Sequence, residues 1–171
     1  MAKAPKKLDE LFHDTLRDLF YAEKKILTAL PKMATAAQNE DLKAAFEKHE
    51  GETEEQVTRL EQLFEAIEKK PQGKKCPAID GIIEEGQEII KEYKGSPALD
   101  SGLLAAAQAV EHYEISRYGT LATWADELGY SEAVDLLKAT LQEEKNTDKA
   151  LTGIAKSVVN IEAEEGEEED A

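Results

Sequence analysis

From Leu8 to Asn160 an apolar residue returns every three or four positions, with few interruptions. A chain patterned this way must bury one stripe of each of several long helices, which points to a helical bundle. Ala, Leu, Glu and Lys dominate and favour helix, and only five prolines and ten glycines interrupt them. At 171 residues the chain suits one domain and is long enough to bury a real core.

The period predicts a first helix over residues 8–38, with Leu16, Leu19, Phe20, Ile26, Leu27 and Leu30 along its stripe and Pro31 bending it. The Asn39-Glu40-Asp41 turn can cap a second helix over residues 42–69. The buried face of that helix reads Leu42, Ala45, Phe46, His49, Thr53, Val57, Leu60, Leu63 and Phe64. A loop at Lys70-Pro71-Gln72-Gly73-Lys74 leads to a shorter helix over residues 77–93, with Pro77 in its first turn. Ile79, Ile82, Ile83, Ile89 and Ile90 form its apolar side, and Lys94-Gly95-Ser96-Pro97 ends it. The next helix spans residues 98–128, where Ala105, Ala106, Ala107 and Ala109 permit close helix approach. Gly129 is suited to a C-cap and Ser131 to an N-cap, before a last helix over residues 132–160. Two helical hairpins are thus joined by a connector of about 28 residues, the connectivity of ferritin-like bundles. The expected fold is an all-α, antiparallel four-helix bundle with a short extra helix in the crossover. Residues 1–160 form the domain, and residues 161–171 form a disordered acidic tail.

The formal net charge is −16, and seven of the negative charges fall in residues 162–171. Such a surface repels nucleic-acid phosphates and anionic membranes and attracts cations, so neither nucleic acid nor membrane is expected as a partner. No apolar run is long enough to span a bilayer. The basic start, Met1-Ala2-Lys3-Ala4-Pro5-Lys6-Lys7, leads into no apolar segment of the secretory type. The single cysteine, Cys76, rules out an internal disulfide and suits a cytoplasmic setting. Cys76 reads as an ordinary thiol at a loop end, although Lys74 and Lys75 could activate it. No phosphate-binding glycine loop, serine elbow or paired-cysteine motif is present.

The informative residues are acids on apolar stripes. Leu16, Leu19, Leu27 and Leu30 share one face with Glu23, so Glu23 points where a core leucine belongs. A buried carboxylate must be neutralised, paired or bound to metal. Glu144 repeats the anomaly beneath Leu137, Leu141 and Leu151, with Asp148 one turn on. Glu111 and Glu114 lie three apart among Ala107, Val110, Tyr118 and Leu121. His49 is on the core face of the second helix, with Glu52 and then Gln56 following at helical spacing. Glu23 precedes Glu52 by 29 residues and Glu114 precedes Glu144 by 30, so the two hairpins place matching polar clusters at matching heights. Several inward carboxylates from four helices are the recipe for a di-iron or di-manganese site.

Each acid also has a plainer reading, with its stem packed and its head in water. Glu52 is bordered by Lys48, Glu55 and Arg59, and Glu111 only partly by apolar residues. Buried salt bridges from Arg17, Arg59 or Arg117 to Glu23 or Glu144 are the structural alternative. His13 and His112 read as helix-flank residues. Tyr21, Tyr113 and Tyr118 are either core aromatics or hydrogen-bond partners of the carboxylates.

The segments Tyr21-Ala22-Glu23-Lys24, His49 with Glu52-Thr53 and Gln56, Glu111 through Thr123, and Leu141-Gln142-Glu143-Glu144-Lys145 with Thr147-Asp148 resemble the YciE/YciF family. The resemblance covers all but the acidic tail. It implies a bacterial, ferritin-like, stress-associated protein that forms a homodimer. It also implies two divalent metal ions, iron first and manganese as the alternative, held by Glu23, His49, Glu52, Glu111, Glu114, Glu144 and Asp148. The wider superfamily places histidine three residues after a glutamate on two helices. Here His49 precedes its Glu52, and Thr147 and Asp148 follow Glu144. Three functions compete: redox chemistry with dioxygen or peroxide, metal binding without turnover, and a structural role with a polar core that holds no metal.

Overall fold

The computed structural model describes residues 5–165. Its helices are α1 (Leu8–Ala36), α2 (Glu40–Ala66), α3 (Pro77–Glu92), α4 (Leu99–Glu127) and α5 (Ser131–Ile154), then a π-helical stretch (Ala155–Val159) and α6 (Asn160–Glu165). Among the described residues there is no strand. The two hairpins, α1–α2 and α4–α5, pack with α2 against α5 and α1 against α4, and α3 lies across α4 and α1. The chain is the all-α bundle its periodicity predicts.

Helix boundaries follow local chemistry. The Asn39 side chain accepts hydrogen bonds from the amides of Asp41 (3.0 Å) and Leu42 (3.1 Å) and starts α2 two residues before the apolar pattern does. That helix ends at Ala66, because Glu68 adopts a left-handed φ of 55°. Gly95 and Gly129 take left-handed φ values of 74° and 75°, which ends α3 and α4 without a Cβ penalty. Ser131 does not cap α5 as expected; it is the first helical residue, and Tyr130 in the cap position makes no side-chain bond. Helix continues past residue 160 to Glu165, into the start of the acidic tail, and residues 166–171 lie outside the described part.

Cys76 is 1% exposed and caps α3, its sulfur accepting from the Ile79 amide at 3.5 Å. Its Sγ lies 3.1 Å from the Tyr113 hydroxyl. This buried capping thiol is inaccessible to solution reagents, which disfavours the activated reading.

Asp100 was not singled out by the sequence, yet it is 4% exposed. Its carboxylate accepts from the backbone amides of Gln38 (2.9 Å) and Asn39 (2.6 Å), tying the α1–α2 turn to the start of α4. Asp100→Ala leaves two part-buried backbone amides without a charged acceptor. It is expected to cost about 1–3 kcal/mol in chemical denaturation.

The core is divided in two. One half gathers Ile26, Leu30, Leu42, Phe46, Leu103 and Val110 with their neighbours. The other gathers Phe12, Leu16, Leu60, Leu63, Tyr118 and Leu137. Between them, the buried residues on the four long helices are polar: Glu23, His49, Thr53, Gln56, Glu111, Glu114, Glu144 and Thr147.

Candidate metal centre

Each helix carries the polar layer at the height where its stripe should place another hydrophobe. On α1, Glu23 lies between buried Phe20 and Ile26. On α2, His49 to Gln56 separate Phe46 from Leu60. On α4, Glu111 and Glu114 fall between Val110 and Tyr118, and on α5 Glu144 falls between Leu137 and Leu151. Glu23, Glu114 and Glu144 are fully buried, Glu111 is 1% exposed and His49 3%.

His49, Glu111, Glu114 and Glu144 each offer one ligand atom, and these atoms all lie within 4.8 Å of one another. His49 Nε2 is 3.1 Å from Glu111 Oε1 and 4.0 Å from Glu144 Oε2, but neither ring nitrogen is aligned for a hydrogen bond. Both oxygens of Glu114, and one oxygen each of Glu23, Glu111 and Glu144, are buried without a donor. Among the described residues no lysine or arginine forms an ion pair with any of these four acids. Buried polar atoms normally find partners, so a convergent set of orphaned ligand atoms has the donor chemistry a cation requires.

Burial is the largest influence on every acid in the layer. It pushes the Glu23 carboxyl up to about 7, with the nearby Glu144 charge adding to the effect. Burial likewise raises Glu111 to about 8, assisted by the charges of Glu23, Asp148 and Glu52. Burial and Glu111 raise Glu144 to about 9. Glu114 is held well above the carboxylate range by burial and then by Glu144, Glu23 and Glu111. Glu23 lies near enough to Glu114, and Glu111 to Glu144, for each pair to share a proton. As carboxylates neither member can donate, which is why the orphaned oxygens remain.

Neighbouring side chains fix the orientation of the acids. The Tyr118 hydroxyl donates to Glu23 Oε1, and burial beside Glu23 and Glu114 holds that phenol well above its ordinary pKa. Gln56 Nε2 donates to Glu144 Oε1. It also reaches Glu143 Oε2 at 3.2 Å, and Glu143 is gripped by Arg59 through contacts of 2.5 and 2.8 Å. Arg59 thus engages the neighbour of Glu144 and leaves Glu144 itself free. Arg17 bonds the Gln72 carbonyl, and Arg117 stacks 5.2 Å from the Tyr113 ring centroid. None of the three arginines makes the buried salt bridge considered above.

Four of the seven expected ligands therefore meet, His49, Glu111, Glu114 and Glu144, and Glu23 is buried in the same layer. Glu23 is not in that group; one of its oxygens accepts from Tyr118 and the other is buried without a donor. Glu52 and Asp148 stay at the rim. Glu52 pairs with Lys48 through one oxygen, while its other oxygen is buried and unpartnered. Asp148 accepts from Gln108 at 3.0 Å and lies 3.1 Å from His112 Nε2. Of the three tyrosines only Tyr118 touches a ligand; Tyr21 bonds Asp80, and Tyr113 faces Cys76. His13 and His112 remain at helix flanks. The Arg59–Glu143 brace and the Gln108 contact had no sequence signal, because each depends on how two distant helices align.

Residues 7–164 match the family described as a domain of unknown function, DUF892. The chain belongs to the DUF892 family. Protein YciF of Escherichia coli (strain K12) is 46% identical to this DUF892 chain over 160 residues, covering 93% of it and 96% of YciF. The crystal structure of the E. coli stress protein YciF superposes with a TM-score of 0.87 at 46% identity, covering 91% and 99% of the two chains. YcfI from Rhodopseudomonas palustris superposes at 0.84 with 44% identity, covering 89% and 97%. A Xanthomonas campestris protein at 22% identity shares the fold alone, with a TM-score of 0.72 over 94% of this chain and 98% of that one. The resemblance read from the sequence motifs is thereby confirmed. No helix among the described residues is long and apolar enough to cross a membrane.

Proposed function

We propose that this DUF892 protein binds two divalent metal ions in the polar layer of its bundle and uses them in a stress-related role. Iron is the first choice and manganese the alternative. The observation that carries the reading is the convergence of His49, Glu111, Glu114 and Glu144, with five carboxylate and two imidazole atoms of the layer left without partners. One imidazole with many carboxylates is a hard, oxygen-rich donor set, which suits iron and manganese better than zinc. Glu23 adds a carboxylate from α1 and Glu52 a buried oxygen from the rim. Asp148, already held by Gln108 and His112, lies at the rim with Glu52.

Two such ions would polarise a bound oxidant, dioxygen or peroxide, and exchange electrons with it. The protein's share is positional. Tyr118 sets the orientation of Glu23, and Gln56, braced through Glu143 and Arg59, sets that of Glu144. The apolar halves above and below keep water from the layer. YciF carries the description of a stress protein, and the similarity supports a stress-related setting here; a cytoplasmic homodimer is part of the same proposal and rests on the family resemblance alone.

A second reading, a structural protein without metal, draws on the raised pKa values, since protonated acids could share hydrogen bonds. Against it, one shared proton in each acid pair still leaves an oxygen of Glu114 and both ring nitrogens of His49 buried without partners. Elemental analysis of protein purified without chelator decides between them. About two ions per chain are expected, or restored by Fe(II) or Mn(II). A ratio near zero after both additions overturns the metal reading.

A further inference from the structure

The apolar half of the core beneath α3 is not filled. A narrow cavity of about 30 Å³ runs between α1, α3 and α4. Its outer end lies at Lys32 and Gln87, both exposed, and its inner end at His49 and Glu111, both buried. We propose that this cavity is a binding site and access passage for a small apolar molecule the size of dioxygen. The claim rests on the metal reading only for what such a molecule would meet at the inner end.

Two small residues keep the space open. Gly86 on α3 faces Ala106 on α4, and a Cβ built on Gly86 would lie 3.5 Å from the Ala106 Cβ. Ile82, Ile83 and Val110 supply apolar walls. A water needs two to four polar partners to remain in a cavity, and along these walls it finds none until the inner end. The size is selective as well. One water needs about 10–15 Å³ of such space, and a benzene-sized guest needs a much larger void of about 150 Å³. A diatomic molecule or a xenon atom therefore matches the volume, and an organic substrate does not. Charge separates this route from that of the ions. Glu52 and Asp148 mark an acidic rim on α2 and α5, away from α3, where cations are drawn in. The flank under α3 has mostly apolar walls with the Lys32 cation at its outer end, which suits a neutral guest better than a metal cation.

Methyl-resolved NMR of the full chain under xenon pressure, with chelator present, tests the passage without relying on metal. Saturable shifts are expected at Ile82, Ile83 and Val110, and none at Leu63 or Leu137 in the other apolar half. Gly86→Ala, which favours helix and narrows the cavity, should weaken xenon binding about tenfold or more. Ala106→Leu should do the same from the opposite wall. Dissolved dioxygen should broaden the same methyl signals through its paramagnetism. The proposal is overturned if shifts are linear in pressure and equal in both halves, or unchanged in both variants. Saturation in a protein that takes up no metal would support the cavity and sink the metal reading alone. Full metal loading without saturation would sink the cavity alone.

Discussion

Glu114→Leu is expected to raise the melting temperature of the metal-free protein by roughly 2–12 °C while abolishing its metal binding. Glu114 is fully buried and neither of its oxygens has a hydrogen-bond donor. As a carboxylate the side chain lost water on folding and gained no bond in return, and a proton shared with Glu23 still leaves one of its oxygens without a donor, at a cost of about 1–3 kcal/mol, more if it is charged. Leucine has a similar volume, needs no partner, and would join the apolar halves that the polar layer separates. Removing Glu114 also relieves the crowding that, after burial, raises its own pKa, namely the charges of Glu144, Glu23 and Glu111. The sign must reverse with metal present. A ligand at a thousand times its dissociation constant stabilises the folded state by about 4 kcal/mol, and only a protein with the full donor set gains it. Calorimetry with chelator and then with Mn(II) separates the two contributions. A Glu114→Leu protein that melts lower in chelator, with an unaltered metal ratio, would show Glu114 to be a structural residue outside any metal site.

The residues that were legible in the sequence are those whose anomaly is visible on one helix. Glu23 stands out because Leu16, Leu19 and Leu30 fix its face, and the structure buries all three with it. Glu144 stands out beneath Leu137 and Leu151 for the same reason. Glu52 and Asp148 were less determinate. A helical period locates a side chain to within about one position around the axis, and at the edge of a stripe that is the difference between centre and rim. The rotation of α2 against α5 decides it, and that rotation is fixed by the Arg59–Glu143 and Gln56–Glu144 contacts across more than 80 residues of sequence. Asp100 shows the complementary failure. An acid in a first helical turn reads as a favourable end charge, and only the tertiary position of the α1–α2 turn turns it into a buried anchor.

The metal-free protein is expected to lose stability steadily as pH rises from about 4.5 to about 9, by several kcal/mol in all, and metal should reverse the trend. Glu23, Glu111 and Glu144 are raised to about 7, 8 and 9 in the folded state, each by burial first. Unfolded, all three return to the ordinary range near 4.5. Between these values the folded chain holds more protons than the unfolded chain, so stability is full below the unfolded value and drains away as each folded value is passed. Glu143 acts in the opposite sense, since Arg59 holds its carboxyl low. Its contribution fails only on acidification below the ordinary carboxylate range. A metal ion must displace the protons that burial retains, so affinity rises with pH and each binding event releases protons. Denaturation midpoints across this range, with chelator and with Mn(II), give the two slopes. Titration calorimetry in buffers of different ionisation enthalpy counts the protons released. Metal-free stability that is flat or rising over the interval would mean that the four acids are hydrated or already compensated in solution. The buried, partnerless layer would then be the wrong description of this core.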